Sequence, residues 1–178
     1  MKKHIFLLFP LIIILLFSSC ITGNSINETK IKQYEYSQTV YQRRIHLLEF
    51  SVKYNELRRI VSNICMSATF GDESYRINHY YDQAELCFEK AFAALDAFKA
   101  ILDDDDEINE SDKTVMLMQY DELQCVFTDY RGGVFEPVAE EARNGHYDSA
   151  VDYIASGAIY TASISDLIDV LTVSTELL

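Results

Sequence analysis

Apolar side chains recur along this chain at alternating steps of three and four residues. Because 3.5 residues nearly complete a helical turn, that spacing gathers them onto one stripe of a helix. The first such stretch predicts a helix over about Asn27 to Thr69, with Ile31, Tyr34, Tyr41, Ile45, Leu48 and Val52 on the stripe. Gln38 and Asn55 fill stripe positions with polar groups, and the register then shifts to Leu57, Ile60, Val61 and Ile64. Gly71 is placed for a helix C-cap. A second stretch carries Ile77, Tyr81, Ala84, Phe88, Ala91, Leu95, Phe98 and Leu102, and ends in the acidic run Asp103 to Glu107. A third opens near Ser111, an apt N-cap, and carries Met116, Tyr120, Leu123, Phe127, Tyr130 and Val134. A fourth, from about Tyr147 to the end, carries Ala150, Ile154, Gly157, Thr161, Ile164, Ile168, Leu171, Thr175 and Leu178.

Amphipathic helices about 48 Å long must bury their stripes against something. Joined by short turns, these elements predict an all-α domain over residues 21–178: an antiparallel up-down-up-down four-helix bundle. The scarcity of glycine (6) and proline (2) agrees with long uninterrupted elements. One defect is expected. Gly132, Gly133 and Pro137 fall inside the third pattern, and proline both loses a backbone donor and clashes with the preceding turn, so a kink is predicted near Gly133.

The segment 1–20 reads differently. A basic start, Met1 to His4, precedes an apolar run from Ile5 to Phe17 and then Ser18-Ser19-Cys20. These are the three parts of a secretory signal, and the run is short for a membrane span. The ending is similar to a bacterial lipobox, with Phe17 where leucine is usual. The expectation is a signal peptide with lipidation at Cys20, or an uncleaved membrane anchor. Either puts the body in the cell envelope, attached to the membrane through its N-terminus and facing the periplasm or the extracellular side.

A formal net charge of −13 makes nucleic-acid binding an unsuitable role, since the body repels phosphate backbones. The other three cysteines, Cys65, Cys87 and Cys125, form no Cys-x-x-Cys motif. Buried small residues are one reading. Pairing of Cys87 with Cys125 is the other, because both lie a similar distance from the turn near Glu107. The histidines His46, His79 and His146 lie on separate segments without metal spacing. The acidic run fails the EF-hand pattern, with Ile108 and Thr114 where glycine and glutamate belong. It reads as a solvated helix end. No catalytic residues, metal site or cofactor are expected, and an enzyme is not expected.

Polar residues on apolar stripes carry more information. Gln38, Asn55, Thr161 and Thr175 either fix helix register or line a cavity. Arg58 and Arg59 follow Asn55 by one turn. A guanidinium in an inter-helix groove suits bidentate capture of a carboxylate, although the same arginines could pair with surface acids.

From about Ile26 to Leu178 the chain resembles the four-helix-bundle sensory domain of methyl-accepting chemotaxis receptors. Three segments carry the resemblance: Ile26-Asn27 with the tyrosine-containing helix after it, Tyr54-Asn55-Glu56-Leu57-Arg58, and Asn144-Gly145-His146-Tyr147-Asp148-Ser149-Ala150. The resemblance implies a homodimer that binds a small molecule between helices and serves signal transduction or chemotaxis. It implies that Arg58 contacts ligand carboxylates; Arg59 is a neighbour without that match, and Asn55, Tyr54 and Thr161 complete the expected ligand-binding set. Such receptors continue into a second span and a signalling hairpin. None is expected before Leu178, where Thr172, Ser174, Thr175 and Glu176 are polar, so the alternatives are the sensor part of a receptor or a stand-alone lipoprotein. The competing function is a structural lipoprotein whose bundle binds an envelope protein partner.

Overall fold

A computed structural model describes the backbone of residues 5–69 and 74–177 and the side chains of 30–68 and 75–176. Among the described residues there are helices and no strands: α1 (Ile5–Thr69), α2 (Ser74–Asp104), α3 (Glu110–Tyr130), a π-helical turn (Arg131–Phe135), α4 (Glu136–Arg143), α5 (Tyr147–Ser156) and α6 (Ala158–Leu177). The chain forms two units, Met1–Thr39 and Val40–Leu178. The basic start, the Cys20 side chain and the Gly71 cap lie outside the described residues.

In the first unit, Ser37 and Thr39 return their hydroxyls to the carbonyls of Tyr34 and Glu35, and Gln38 donates to the Tyr34 hydroxyl. The second unit holds the hydrophobic core. There α3 packs along α6, α4 along α5, and α2 against α3 and α4. The α1 helix reaches α6 through Tyr54–Thr161 and Arg44–Glu176.

Three predicted stripes face this core. Ile77, Ala84, Phe88, Ala91, Leu95, Phe98 and Leu102 of α2 are buried, as are Met116, Tyr120, Leu123, Phe127, Tyr130 and Val134 of the third stretch. On the fourth, Ala150, Gly157, Ile164, Leu171 and Thr175 are buried, and the Thr175 hydroxyl is satisfied by the Leu171 carbonyl at 2.7 Å.

The first stripe does not. Ile31, Tyr34, Tyr41, Leu48 and Val52 are exposed, and so are Gln38 and Asn55. The core face of α1 is instead Arg43, Leu47, Phe50, Tyr54, Leu57, Val61 and Ile64. This set also steps by three and four, and it is the register that the sequence reading saw only after Val52. Two such seams share one helix, and the bulkier set, with Phe50 and Tyr54, is the one buried.

Two other local expectations are corrected. The N-cap of α3 is Asn109 rather than Ser111: its side chain accepts from the Asp112 amide. The acidic run is not simply solvated. Asp105 is buried and pairs at 2.8 Å with Arg43, whose side chain is fully buried. Lys113 donates to the carbonyls of Asp103 and Asp105, which ties the turn to α3. Cys87 is buried, Cys125 is exposed, and both are free along with Cys65. Similar height along two helices does not bring their side chains onto facing sides, so the expected pairing fails.

The segment Tyr147–Glu176 is long and apolar enough to cross a membrane by length and composition, with a mean hydropathy of 1.3 and little of it buried. This corrects the expectation of no second span before Leu178: the polar residues Thr172, Ser174, Thr175 and Glu176 at its end do not outweigh the apolar residues before them.

Candidate functional site

The defect predicted near Gly133 is a π-helical turn. The Glu136 amide donates to the Arg131 carbonyl, five residues back. Pro137 has no amide to offer, and its ring would press on the carbonyl four residues earlier, that of Gly133. Widening the turn by one residue removes that clash without ending the rod. Arg131 fixes the start of the turn to α2. One of its terminal nitrogens reaches both Glu85 oxygens, at 2.7 and 2.9 Å, and its guanidinium lies over the Phe88 ring.

The turn pushes Val134 towards Gly157, where α5 gives way to α6. A Cβ built on Gly157 would meet the two Val134 methyls at 2.7 and 3.0 Å and the Ile154 carbonyl at 3.2 Å. Only glycine allows this approach. Alanine ordinarily gains about 1 kcal/mol over glycine inside a helix. Here Gly157→Ala should instead destabilise by about 1–2 kcal/mol, because overpacking outweighs that gain. Denaturant midpoints check this, and adding Val134→Ala should recover most of the loss.

Beside this contact lies a cleft of about 580 Å³. One wall is α1, with Asn55, Arg58, Arg59 and Ser62; the other is α6, with Thr161 and Ser165. Val61, Tyr130, Val134 and Ile154 make it apolar underneath. Among the described residues neither Arg58 nor Arg59 is in an ion pair, although Lys53, and with it Arg59, holds the Glu56 carboxyl below its usual range. Arg58 lies 5.9 Å from the centre of the Tyr54 ring. The Asn55 amide donates to the Ser51 carbonyl at 3.0 Å.

Tyr54 is the link between the walls. Its ring is buried, and its hydroxyl donates to Thr161 Oγ1 at 3.0 Å. Burial raises the pKa values of Tyr54 and Tyr130, so both phenols stay neutral and serve as donors across the physiological range. Thus Asn55, Arg58, Arg59 and Thr161 line one cleft, with Tyr54 beneath it. Ser62, Ser165 and Val134 are additions that sequence reasoning missed. Their only signal was position, one turn beyond Arg58, one turn beyond Thr161 and inside the glycine-rich defect. The arrangement offers two exposed cations, several neutral donors and an apolar floor, which suits a small anionic molecule.

No group of three or more metal-ligating side chains occurs among the described residues. His46, His79 and His146 each meet a side chain of their own segment: Glu49, Gln83 and Glu141. Comparison with known proteins finds no matching family model, no matching curated relative and no matching solved structure.

Proposed function

We propose that this chain is a membrane-tethered, extracytoplasmic ligand-binding bundle of chemoreceptor sensory type, with up-down-up-down topology, and that its cleft takes a small carboxylate. The observation that carries the reading is the convergence of Arg58, Arg59, Asn55 and Thr161 on one cleft, with neither guanidinium in an ion pair among the described residues. A carboxylate would accept bidentate bonds from Arg58 and further bonds from Asn55 and Thr161. Bound between α1 and α6, it would bias the position of α6 against α1, which is the displacement that a sensor needs.

Thermal melting against a panel of amino acids and dicarboxylates tests this. A ligand at a hundred times its Kd adds about 2.7 kcal/mol, a rise of roughly 5–10 °C for a chain of this size. Arg58→Ala should abolish the shift while leaving the unliganded melting temperature nearly unchanged, since its guanidinium is exposed. A shift that survives Arg58→Ala, or no shift across the panel, would reject the reading. For the anchor, palmitate labelling should be lost in Cys20→Ser.

The second reading, a structural lipoprotein binding an envelope protein, draws on α6. Ile159 is 70% exposed, and Val170 and Val173 are exposed on the same helix. A specific partner captured through Ile159→Asp-sensitive binding, together with a ligand-silent cleft, would favour it.

A further inference from the structure

Tyr130 enters the cleft from α3 with a donor that the protein leaves unused. Its side chain is 3% exposed, and the ring packs edge-on to Tyr54 at 5.5 Å. Two other buried tyrosines have partners: the Tyr54 hydroxyl meets Thr161, and the Tyr120 hydroxyl meets Asp96. The Tyr130 hydroxyl bonds to no group among the described residues, and it is not one of the polar atoms sealed inside the protein. It therefore opens onto the cleft that Tyr130 lines. A buried hydroxyl ordinarily has a hydrogen-bond partner. Here that partner is left to what fills the cleft. Since the phenol stays protonated, the partner it asks for is an oxygen acceptor.

A cation stands near this donor. Burial raises the pKa values of Tyr54 and Tyr130, and the Arg58 charge opposes the rise at both. A guanidinium whose field reaches the phenol can hold a carboxylate while the phenol serves the next atom along the molecule. The opposite charge is missing from the walls. Among the described residues that line the cleft, Arg58 and Arg59 carry charge and none is Asp or Glu. Glu56, the acid nearest to Arg58 in sequence, is held by Lys53 at 2.7 Å and is not in the lining. An α-ammonium group would exchange water for neutral oxygens beside two guanidiniums, with no carboxylate to neutralise it. An oxo group on the same carbon carries no charge and accepts from the phenol. A site with a buried donor favours the ligand that supplies the acceptor.

We infer that the cleft selects an α-oxo acid over the matching α-amino acid, with Arg58 holding the carboxylate and Tyr130 donating to the adjacent oxo oxygen. Tyr130 is thus a specificity-determining residue. The inference deepens the carboxylate reading of the cleft and rests on it.

Titration calorimetry on the full chain in mild detergent tests it with matched acids. The sets are α-ketoglutarate, glutamate and glutarate; α-ketoisocaproate, leucine and isocaproate; phenylpyruvate, phenylalanine and phenylpropionate. In a set that binds, the oxo acid should exceed the amino acid in affinity by at least about tenfold. Tyr130→Phe keeps the ring and should leave the unliganded melting temperature nearly unchanged. It should weaken the oxo acid about tenfold and leave the affinity of the unsubstituted acid as it was. An amino acid that binds as tightly as its oxo acid would overturn the inference. So would a Tyr130→Phe loss that is absent, or equal for the oxo and unsubstituted acids. In either case binding that Arg58→Ala abolishes would leave the carboxylate reading standing. No binding in any set would overturn both.

Discussion

Replacing Asp105 with alanine should destabilise the domain by about 3–5 kcal/mol, the cost of leaving a buried cation without its partner. Arg43 is fully buried, and its charge partner among the described residues is Asp105, through one terminal nitrogen at 2.8 Å. The other two guanidinium nitrogens are buried without a hydrogen-bond partner. The loss extends to the turn, since the second Asp105 oxygen accepts the Glu107 amide at 2.9 Å. Arg43→Met should cost less, about 1–3 kcal/mol. Asp105 keeps the Glu107 amide as a donor, so its carboxylate is left partly satisfied. The double replacement, Arg43→Met with Asp105→Leu, should come back close to the parent, because two well-packed apolar side chains replace a desolvated pair at little net cost. Urea unfolding in mild detergent measures all three. An Asp105→Ala midpoint within about 1 kcal/mol of the parent would mean that the guanidinium finds water or another acceptor on relaxation.

The same pair shows where the sequence was legible and where it was not. In α2 and α3 each helix has one apolar seam, so periodicity alone identifies the buried face: Phe88, Leu95 and Phe98, then Leu123 and Phe127. In α1 two seams compete. Ile31 to Val52 reads more regularly from the N-terminal end, whereas the buried seam starts with a charged residue, Arg43, and so looks broken. A buried arginine is legible only through its partner, and that partner is 62 residues away in a run of acids that reads as solvated surface. Periodicity reports which residues share a side of a helix. It does not report which side meets the core when both sides can.

The cleft was legible for a different reason. Asn55, Arg58 and Thr161 are polar groups near apolar stripes, and such groups mark either register or a cavity. Although Asn55 proved to be outside the core rather than in it, one residue away from the buried Tyr54, it still borders the space that Arg58 and Thr161 share. The glycine and proline defect in the third stretch foretold an irregularity at the right place. Its form, a wide turn rather than a bend, depends on Val134 finding room against Gly157. That fit is a three-dimensional fact that no local pattern encodes. Ser62 and Ser165 carry no sequence signal beyond being small, polar and one turn from a stronger candidate.

Phe127→Ala should be as damaging as the loss of Asp105, about 3–5 kcal/mol, for a purely apolar reason. The Phe127 ring is fully buried and sits edge-on to Phe50 at 5.1 Å and to Tyr54 at 6.0 Å. It also touches Phe88 at 5.2 Å and Phe92 at 4.9 Å. It therefore joins α1, α2 and α3 at one point, and rings from three helices cannot close together over the void, so most of the cavity should persist. Phe127→Leu fills much of that volume and should cost less than about half as much. Met118→Ala, on the same helix but 67% exposed, should stay within about 0.5 kcal/mol of the parent. The cleft gives a second readout. Tyr54 packs against Phe50, Phe127 and Tyr130 and bonds to Thr161, so once the Phe127 ring is gone, the phenol loses one of the contacts that hold it in place. A ligand that raises the parent's melting temperature should raise that of Phe127→Ala by less, at ligand levels that saturate the parent. Equal shifts in the two proteins would show that the cleft does not depend on the aromatic cluster, and a destabilisation below about 1.5 kcal/mol would show that the three helices repack freely around the missing ring.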